Sequence, residues 1–485
     1  MQPRLSAGRA AAQRLAFPRR DDGLRRGVRE PRAPDPADYD RARPAVDVAR
    51  SGPGGRRTLH RDPGRDRGAE HRKDQPPRRR PGDHTCGRQR RRHVTDVEHA
   101  PDPAGLRQLF LLRPDVVYLN HGAFGACPRP VFDTYQRWQL ELERQPVEFL
   151  HYRFRDLMRQ ARESLAAFLG AAPDDVVYVT NATTGVNMVA RSLTLRPGDE
   201  VLTTDHEYGA LDRTWQFVCE QRGARYVQAR LPLPLESPEE VVEAVWGQRT
   251  ERTRVLFLSH VTSPTALILP IEPLLRRART AGIITVVDGA HAPGQIPLDL
   301  DALGADFYAG NCHKWMCAPK GAGFLYVRRE LQSLVIPPVV SWGWRAGFIE
   351  EQQWQGTRDI AAFLSVPAAI DFLREHNWPA VRQACHALVR IARGALEAET
   401  GLPPLSADSP AWYAQMVSVP LPLPDAERAR TRLWTEFGIE APVSEWAGRC
   451  LVRVSIQGYN TRADVDALVS AVARLISEEK RRGSR

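Results

Sequence analysis

Apolar and polar positions change their rhythm twice along this chain of 485 residues. From Gly105 onward, short runs that are apolar on both faces alternate with longer stretches of helical period. The runs are Val176–Val179, Glu200–Thr203, Arg254–Ser259, Ile283–Val287, Asp306–Ala309 and Gly323–Val327. Runs apolar on both sides predict strands covered on both faces, and helices between them predict an α/β fold with a mostly parallel central sheet. Ahead of these runs, Leu106–Leu112 predicts a short helix. Val116–Leu119 predicts a strand ending in the Gly-rich turn Asn120–Gly125. An amphipathic helix begins near Pro130, breaks near Pro146 and resumes through Leu169.

After about Ile370 the pattern becomes α+β. A long helix to Glu399 is followed by a strand Gln415–Val419, a helix Asp425–Phe437, a loop Gly438–Gly448, a strand Leu451–Ser455 and a last helix from Arg462. This predicts a large domain over 105–369 and a smaller C-terminal domain over 370–485, with the N-terminal segment of the former contributing to the latter. There is no internal repeat.

Composition changes the picture only upstream. Residues 1–100 hold 26 Lys+Arg against 14 Asp+Glu, so they carry +12 of a total of +10 and leave the rest of the chain at −2. The basic charge therefore does not belong to the patterned part. The arginines alternate with Pro, Gly and Asp, without aromatic interleaving or helical period, and such text cannot bury enough apolar surface to fold. Residues 1–104 read first as a disordered extension or a mis-assigned start, GC-rich DNA translated in an unused frame. A targeting segment ranks second and a polyanion-binding arm a distant third, so nucleic acid is not the expected partner. No apolar run reaches the roughly 18–20 residues of a membrane span, and Met1–Arg20 lacks the apolar core of a signal peptide. A cytoplasmic protein without a membrane partner is expected. The seven cysteines, Cys86, Cys127, Cys219, Cys312, Cys317, Cys385 and Cys450, form no CxxC pair. They predict reduced thiols and no metal site.

Three segments carry candidate chemistry. Asp288 closes the apolar run Val286–Val287, at the strand end where open α/β sheets bind ligands. A buried carboxylate needs a partner, and a pyridinium nitrogen is one, although Asp before Gly also suits a turn. Lys314 follows in Asn311-Cys312-His313-Lys314-Trp315, just past another strand. Desolvation there would lower its pKa toward that of a usable nucleophile. Lysine is sparse after residue 100: only Lys314, Lys320 and Lys480 occur. Lys320 sits in a turn and Lys480 in the last helix, so Lys314 alone has the right setting. Third, Thr180 to Asn187 runs from a strand into small hydroxyl residues that open a helix, which aims backbone N–H groups at a phosphate.

With these three in order, the chain resembles the class V aminotransferase family of fold-type I pyridoxal-phosphate (PLP) enzymes over roughly residues 105–480, most of all its isopenicillin N epimerase-like branch. Tyr118–Gly125, Arg144–Val147 with Phe149-Leu150, Asn311–Gly323, Val339–Gly343 and Gly356–Asp359 carry the resemblance. It implies pyridoxal 5'-phosphate joined to Lys314 as a Schiff base, with Asp288 on the ring nitrogen and His291 on the ring hydroxyl. It places Ala182 and Thr183 on the phosphate, helped by Asn311 and His313, and Thr357 on the phosphate of a neighbouring subunit, hence a homodimer with shared sites. Ser263 falls near the cofactor hydroxyl. Tyr208 is favoured over His206 for stacking on the ring. Arg453 resembles the arginine that binds the substrate carboxylate, or else caps a strand at the surface, and Asn120, His121 and Gly122 join the substrate side.

The resemblance implies chemistry at the α-carbon of an amino acid. Lys314 would be one base, and Tyr208, His206 or a water the donor on the opposite face. Epimerisation comes first, with transamination or C–S β-lyase action on a cysteine derivative as alternatives. Cysteine desulfurase action is disfavoured, because it needs a Cys on a mobile loop, whereas Cys450 lies three residues before Arg453 in the expected strand and Gly438–Gly448 has none. An inactive homologue is the remaining possibility.

Overall fold

A computed structural model of the protein describes residues 100–483, so the readings offered for residues 1–99 lie outside the described residues. In chain order the strands are β1 (Val117–Tyr118), β2 (Val176–Val179), β3 (Glu200–Thr204), β4 (Arg225–Ala229), β5 (Thr253–Ser259), β6 (Ile284–Gly289), β7 (Phe307–Asn311), β8 (Gly323–Val327), β9 (Met416–Leu421), β10 (Ile439–Glu440), β11 (Val443–Trp446) and β12 (Arg449–Ser455).

Seven of them make the central sheet, in the order β2-β8-β7-β6-β5-β3-β4. Strands β3 to β7 pair in parallel, and β8 runs antiparallel to both of its neighbours. The mostly parallel sheet expected from the apolar runs is therefore present, with each of those runs in it. Side chains alternate between two cores, as a strand's period of two requires. On β5, Val255 and Phe257 enter one buried cluster with Val186 and Trp215, while Leu256 and Leu258 enter the other with Tyr178 and Leu165. Burying each such side chain contributes about 1.5–3 kcal/mol before chain entropy is counted. Strand β4 gave no signal in the sequence because it is the sheet edge: of its residues only Ala229 is buried, so little apolar pattern is required.

The sheet β11-β12-β9 is antiparallel, and β1 pairs in parallel with β10. The Ser455 N–H donates to the Leu119 carbonyl at 2.8 Å. Through these bonds the segment that begins near Val117 is tied to strands more than three hundred residues later. The helical break near Pro146 is also present. A helix Arg129–Arg144 gives way to a π-helical turn Glu148–Arg153 and then to a helix Phe154–Leu169.

Three expectations are corrected. The long helix ending near Glu399 is two helices, Val366–Glu375 and Trp378–Thr400. Asn377 turns left-handed between them at φ 46, and Pro379, which has no N–H to give, sits in the first turn of the second. The segment Gly438–Gly448 is not a free loop, because β10 and β11 occupy it and β11 forms a hairpin with β12. The turn Asn120–Gly125 contains a helical turn, His121–Phe124, closed by Gly125 at φ 70. A Cβ at Gly125 would lie 2.0 Å from the His313 carbonyl oxygen, so only glycine lets this turn approach the Lys314 segment.

Candidate active site

Parallel strands put all their C-terminal ends on one edge, and the loops that leave them converge there. Asp288 is the last residue but one of β6, Asn311 ends β7, and Ser259 ends β5, where it pairs with Asp288 in register. Thr204 ends β3 and leads into Asp205 to Tyr208. Gly289 is required where it stands, since a Cβ would fall 2.0 Å from the ring of Tyr308 on β7.

Asp288 is 4% exposed, and one of its oxygens accepts the Ala290 N–H at 2.9 Å. Burial raises its pKa, while that backbone bond and the Lys314 charge pull the other way. The Lys314 amine lies 3.1 Å from Nε2 of His291. Burial and the nearby Arg453 charge bring its pKa down to about 7, against the opposing pull of Asp288. The expected desolvated lysine is therefore present. Lys320 is engaged elsewhere, donating to the Gly125 carbonyl at 2.8 Å, and Lys480 lies in the last helix.

Arg453 projects from β12, and its Nη1 donates to the Ser263 carbonyl at 2.7 Å and to the Ser263 hydroxyl at 3.2 Å. Its Nε is buried without a partner. Burial draws its pKa down to about 10. The structure thus excludes the reading of Arg453 as a cap at the surface end of a strand. An anion, an amine and a guanidinium occupy one desolvated site, each within electrostatic reach of another.

The helix Ala182–Ser192 points its first turn at the same edge. Asn181 caps it through Oδ1, which accepts the Thr184 N–H at 2.8 Å. The Ala182 N–H donates to Oδ1 of Asn311 at 2.8 Å, so β7 holds this turn in place. Thr183 stands half-buried at its tip. His313 hydrogen-bonds the Ala322 carbonyl through Nδ1 at 2.9 Å, and burial lowers its pKa to about 4. A helix N-terminus with a small hydroxyl residue is suited to a phosphate.

His121 is fully buried, with Nδ1 2.9 Å from the Tyr459 hydroxyl and Nε2 3.0 Å from the Lys314 carbonyl. It therefore braces the backbone of Lys314. Gly122 is walled in, since a Cβ would lie 2.9 Å from Sδ of Met416 and 3.2 Å from the Trp315 ring. Asn120 donates to Glu440 at 2.9 Å. The contacts of these three are with other parts of the chain.

Tyr208 is 43% exposed and opens the helix Gly209–Arg222, within electrostatic reach of Arg453. His206 is fully buried: Nδ1 bonds the Thr265 hydroxyl at 2.8 Å and the ring lies 4.4 Å from that of Trp446. Burial lowers its pKa to about 3, which keeps it neutral. Thr357 is exposed on the loop before the helix Ala361–Leu364, and none of the hydrogen bonds above reaches it.

Two residues of the site gave no sequence signal. Glu207, 4% exposed, accepts from Ser259 at 2.6 Å and from Thr204 at 2.7 Å. Burial pushes its pKa up to about 8, and the Asp288 charge adds to this. Trp315, completely buried, directs its indole N–H at Nδ1 of His291, 3.3 Å away. Neither is legible as a pattern, because each is defined by a partner far away in sequence.

Among the described residues no group of three or more His, Cys, Asp or Glu could hold a metal ion. Likewise no described helix is long and apolar enough to cross a membrane. The six described cysteines are all unpaired, and Cys450 is buried in β12.

Comparison with known proteins converges on the same region. The family described as Aminotransferase class-V matches residues 117–468. An isopenicillin N epimerase of Amycolatopsis lactamdurans is 39% identical over 392 residues, which cover 77% of this chain and 98% of that protein. An isopenicillin N epimerase of Streptomyces clavuligerus is 38% identical, with 79% and 100% covered. Among solved structures, the cysteine desulfurase CsdA from Escherichia coli superposes with a TM-score of 0.65 at 26% identity, covering 78% of this chain and 98% of that one.

Proposed function

Because the chain belongs to the aminotransferase class-V family, we propose that it is a pyridoxal-phosphate enzyme that inverts the α-carbon of an amino acid or amino-acid derivative. The observation that carries the reading is the grouping of Lys314, Asp288 and Arg453 in one desolvated site. A cofactor with a cationic ring nitrogen, an aldehyde and a phosphate meets complementary groups there: a buried anion, a neutral amine and a helix N-terminus. In this reading Asp288 holds the protonated ring nitrogen and His291 faces the ring hydroxyl. Ala182, Thr183, Asn311 and His313 receive the phosphate. When bound, pyridoxal phosphate supplies a sink for the electron pair left at the substrate's α-carbon.

Arg453 fixes the substrate carboxylate, its own position set by Ser263. Lys314, once released, takes the α-proton on its side. Of the two side chains among the candidate donors for the opposite face, Tyr208 is favoured by its exposure and its nearness to Arg453. His206 has Thr265 and Trp446 as neighbours instead. Cysteine desulfurase action remains disfavoured, since Cys450 is buried in a paired strand rather than carried on a loop.

The experiment is incubation with pyridoxal phosphate and a panel of amino acids in deuterated water. Deuterium at the α-carbon with racemisation supports the reading. Keto-acid release replaces it with transamination, and pyruvate with a thiol or sulfide replaces it with β-elimination. A colourless protein that ignores added cofactor makes the chain an inactive homologue.

The rate of cofactor capture should follow the neutral fraction of Lys314. With the amine at about pKa 7, the rate constant rises with pH up to a plateau above pH 7. It falls about tenfold for each unit below, as the amine protonates. Stopped-flow absorbance checks this, and a midpoint near that of a free lysine would contradict it.

The homodimer belongs to the same proposal, with Thr357 of one subunit serving the phosphate site of the other. The exposed apolar residues Val339, Val340, Trp342 and Trp344 support it, Trp342 being 91% exposed, since apolar patches of this kind mark contact surfaces. Mixing Lys314→Ala and Thr357→Ala chains under exchange conditions should restore activity that neither has alone, because one of the two sites then has both residues. A mixture as inactive as its parts would refute the shared site. Unpaired cysteines fit a cytoplasmic setting.

A further inference from the structure

Trp315 has no part in the reading so far, yet its one polar atom is aimed. We propose that Trp315 is a positioning residue that keeps the proton of His291 on Nε2 and so holds the Lys314 amine in its neutral, nucleophilic form. An indole N–H can only donate. Its partner at 3.3 Å, Nδ1 of His291, must therefore present a lone pair. A neutral imidazole with Nδ1 bare carries its proton on Nε2, and an imidazolium would set two N–H groups against each other. Nε2 lies 3.1 Å from the Lys314 amine. A donor at that distance is satisfied only by an amine with a free electron pair, which an ammonium lacks. One indole N–H thus fixes the protonation of two residues in series.

The arrangement is built in. Trp315 and His291 are 0% and 2% exposed. The backbone carbonyl of Trp315 lies where a Cβ at Gly294 would stand, 2.5 Å away, and its ring lies 3.2 Å from that of Gly122. Its other aromatic neighbour is His121, at a centroid distance of 5.2 Å. The charged groups facing His291 are Lys314 and, from β12, Arg453, while Asp288 faces Lys314 from β6. Burial opposes protonation of His291, as does the Arg453 charge, and a charge on Lys314 would add to them. The same Nε2–H is the donor His291 would offer to the oxygen of a ring hydroxyl. That consequence rests on the pyridoxal-phosphate reading; the tautomer itself does not.

The test uses the full-length chain freed of cofactor. Nitrogen-15 NMR of labelled histidines, with His291→Gln to assign the signal, should show His291 protonated on Nε2. In Trp315→Phe the proton should move to Nδ1 in part or whole, because Nε2 can then accept from an ammonium. Modification of Lys314 by fluorodinitrobenzene at pH 6 should slow by about tenfold for each unit its pKa rises. A role in packing alone would let water in and slow the amine while leaving the tautomer unchanged, and that outcome overturns the proposal. A proton on Nδ1 in the unaltered protein overturns it even if Trp315→Phe does not fold. The expected tautomer together with no covalent capture of pyridoxal phosphate would remove the functional reading and leave this one standing.

Discussion

Lys314→Ala is expected to lose covalent capture of pyridoxal phosphate altogether and to lower turnover by about 10³-fold or more, the upper range for losing an acid–base group that also bonds the cofactor. No other described lysine can stand in. Lys320 is committed to the Gly125 carbonyl, and Lys480 lies in the last helix. Borohydride treatment followed by intact-mass measurement gives the readout: the parent chain should gain the mass of the reduced cofactor and the variant should not. The fold should hold, because the Lys314 backbone is anchored by His121 through its carbonyl oxygen, a bond that alanine keeps. A variant that still gains the cofactor's mass would move the site away from Lys314.

Arg453→Lys is expected to raise KM for amino-acid substrates by about 10- to 100-fold with a smaller change in kcat. A hydrogen bond to a charged group contributes about 1.5–3 kcal/mol, and this side chain has two tasks. One nitrogen is held by Ser263, while Nε is left buried without a partner. A planar guanidinium can serve a carboxylate while anchored at its other edge. An ammonium is a point donor and cannot do both. Amines that lack the carboxylate should be handled by the variant as by the parent enzyme, so the ratio between the two substrate types isolates the contact. An unchanged KM for the amino acid would remove Arg453 from the substrate side.

Tyr308, Glu207 and Trp315 mark where reading the sequence stops. Each acts through a partner supplied by the fold: Tyr308 through the space left by Gly289, Glu207 through Ser259 and Asp288, and Trp315 through His291. Asp288 and Lys314 were legible because a polar residue at the end of a doubly apolar run breaks a strong local pattern. Strand β4 and the hairpin of β11 with β12 were missed because partly exposed strands need little apolar text.

By itself the sequence determined the alternation of strands and helices, the buried sheet and which lysine follows a buried strand end, since apolar period and strand-end position are local properties. Only the tertiary structure decided that Arg453 is half-buried and held by Ser263, and that His121 braces Lys314. It also aims the indole N–H of Trp315 at Nδ1 of His291. Desolvation and hydrogen bonding depend on which distant groups the fold brings within about 3 Å, and no spacing along the chain encodes that.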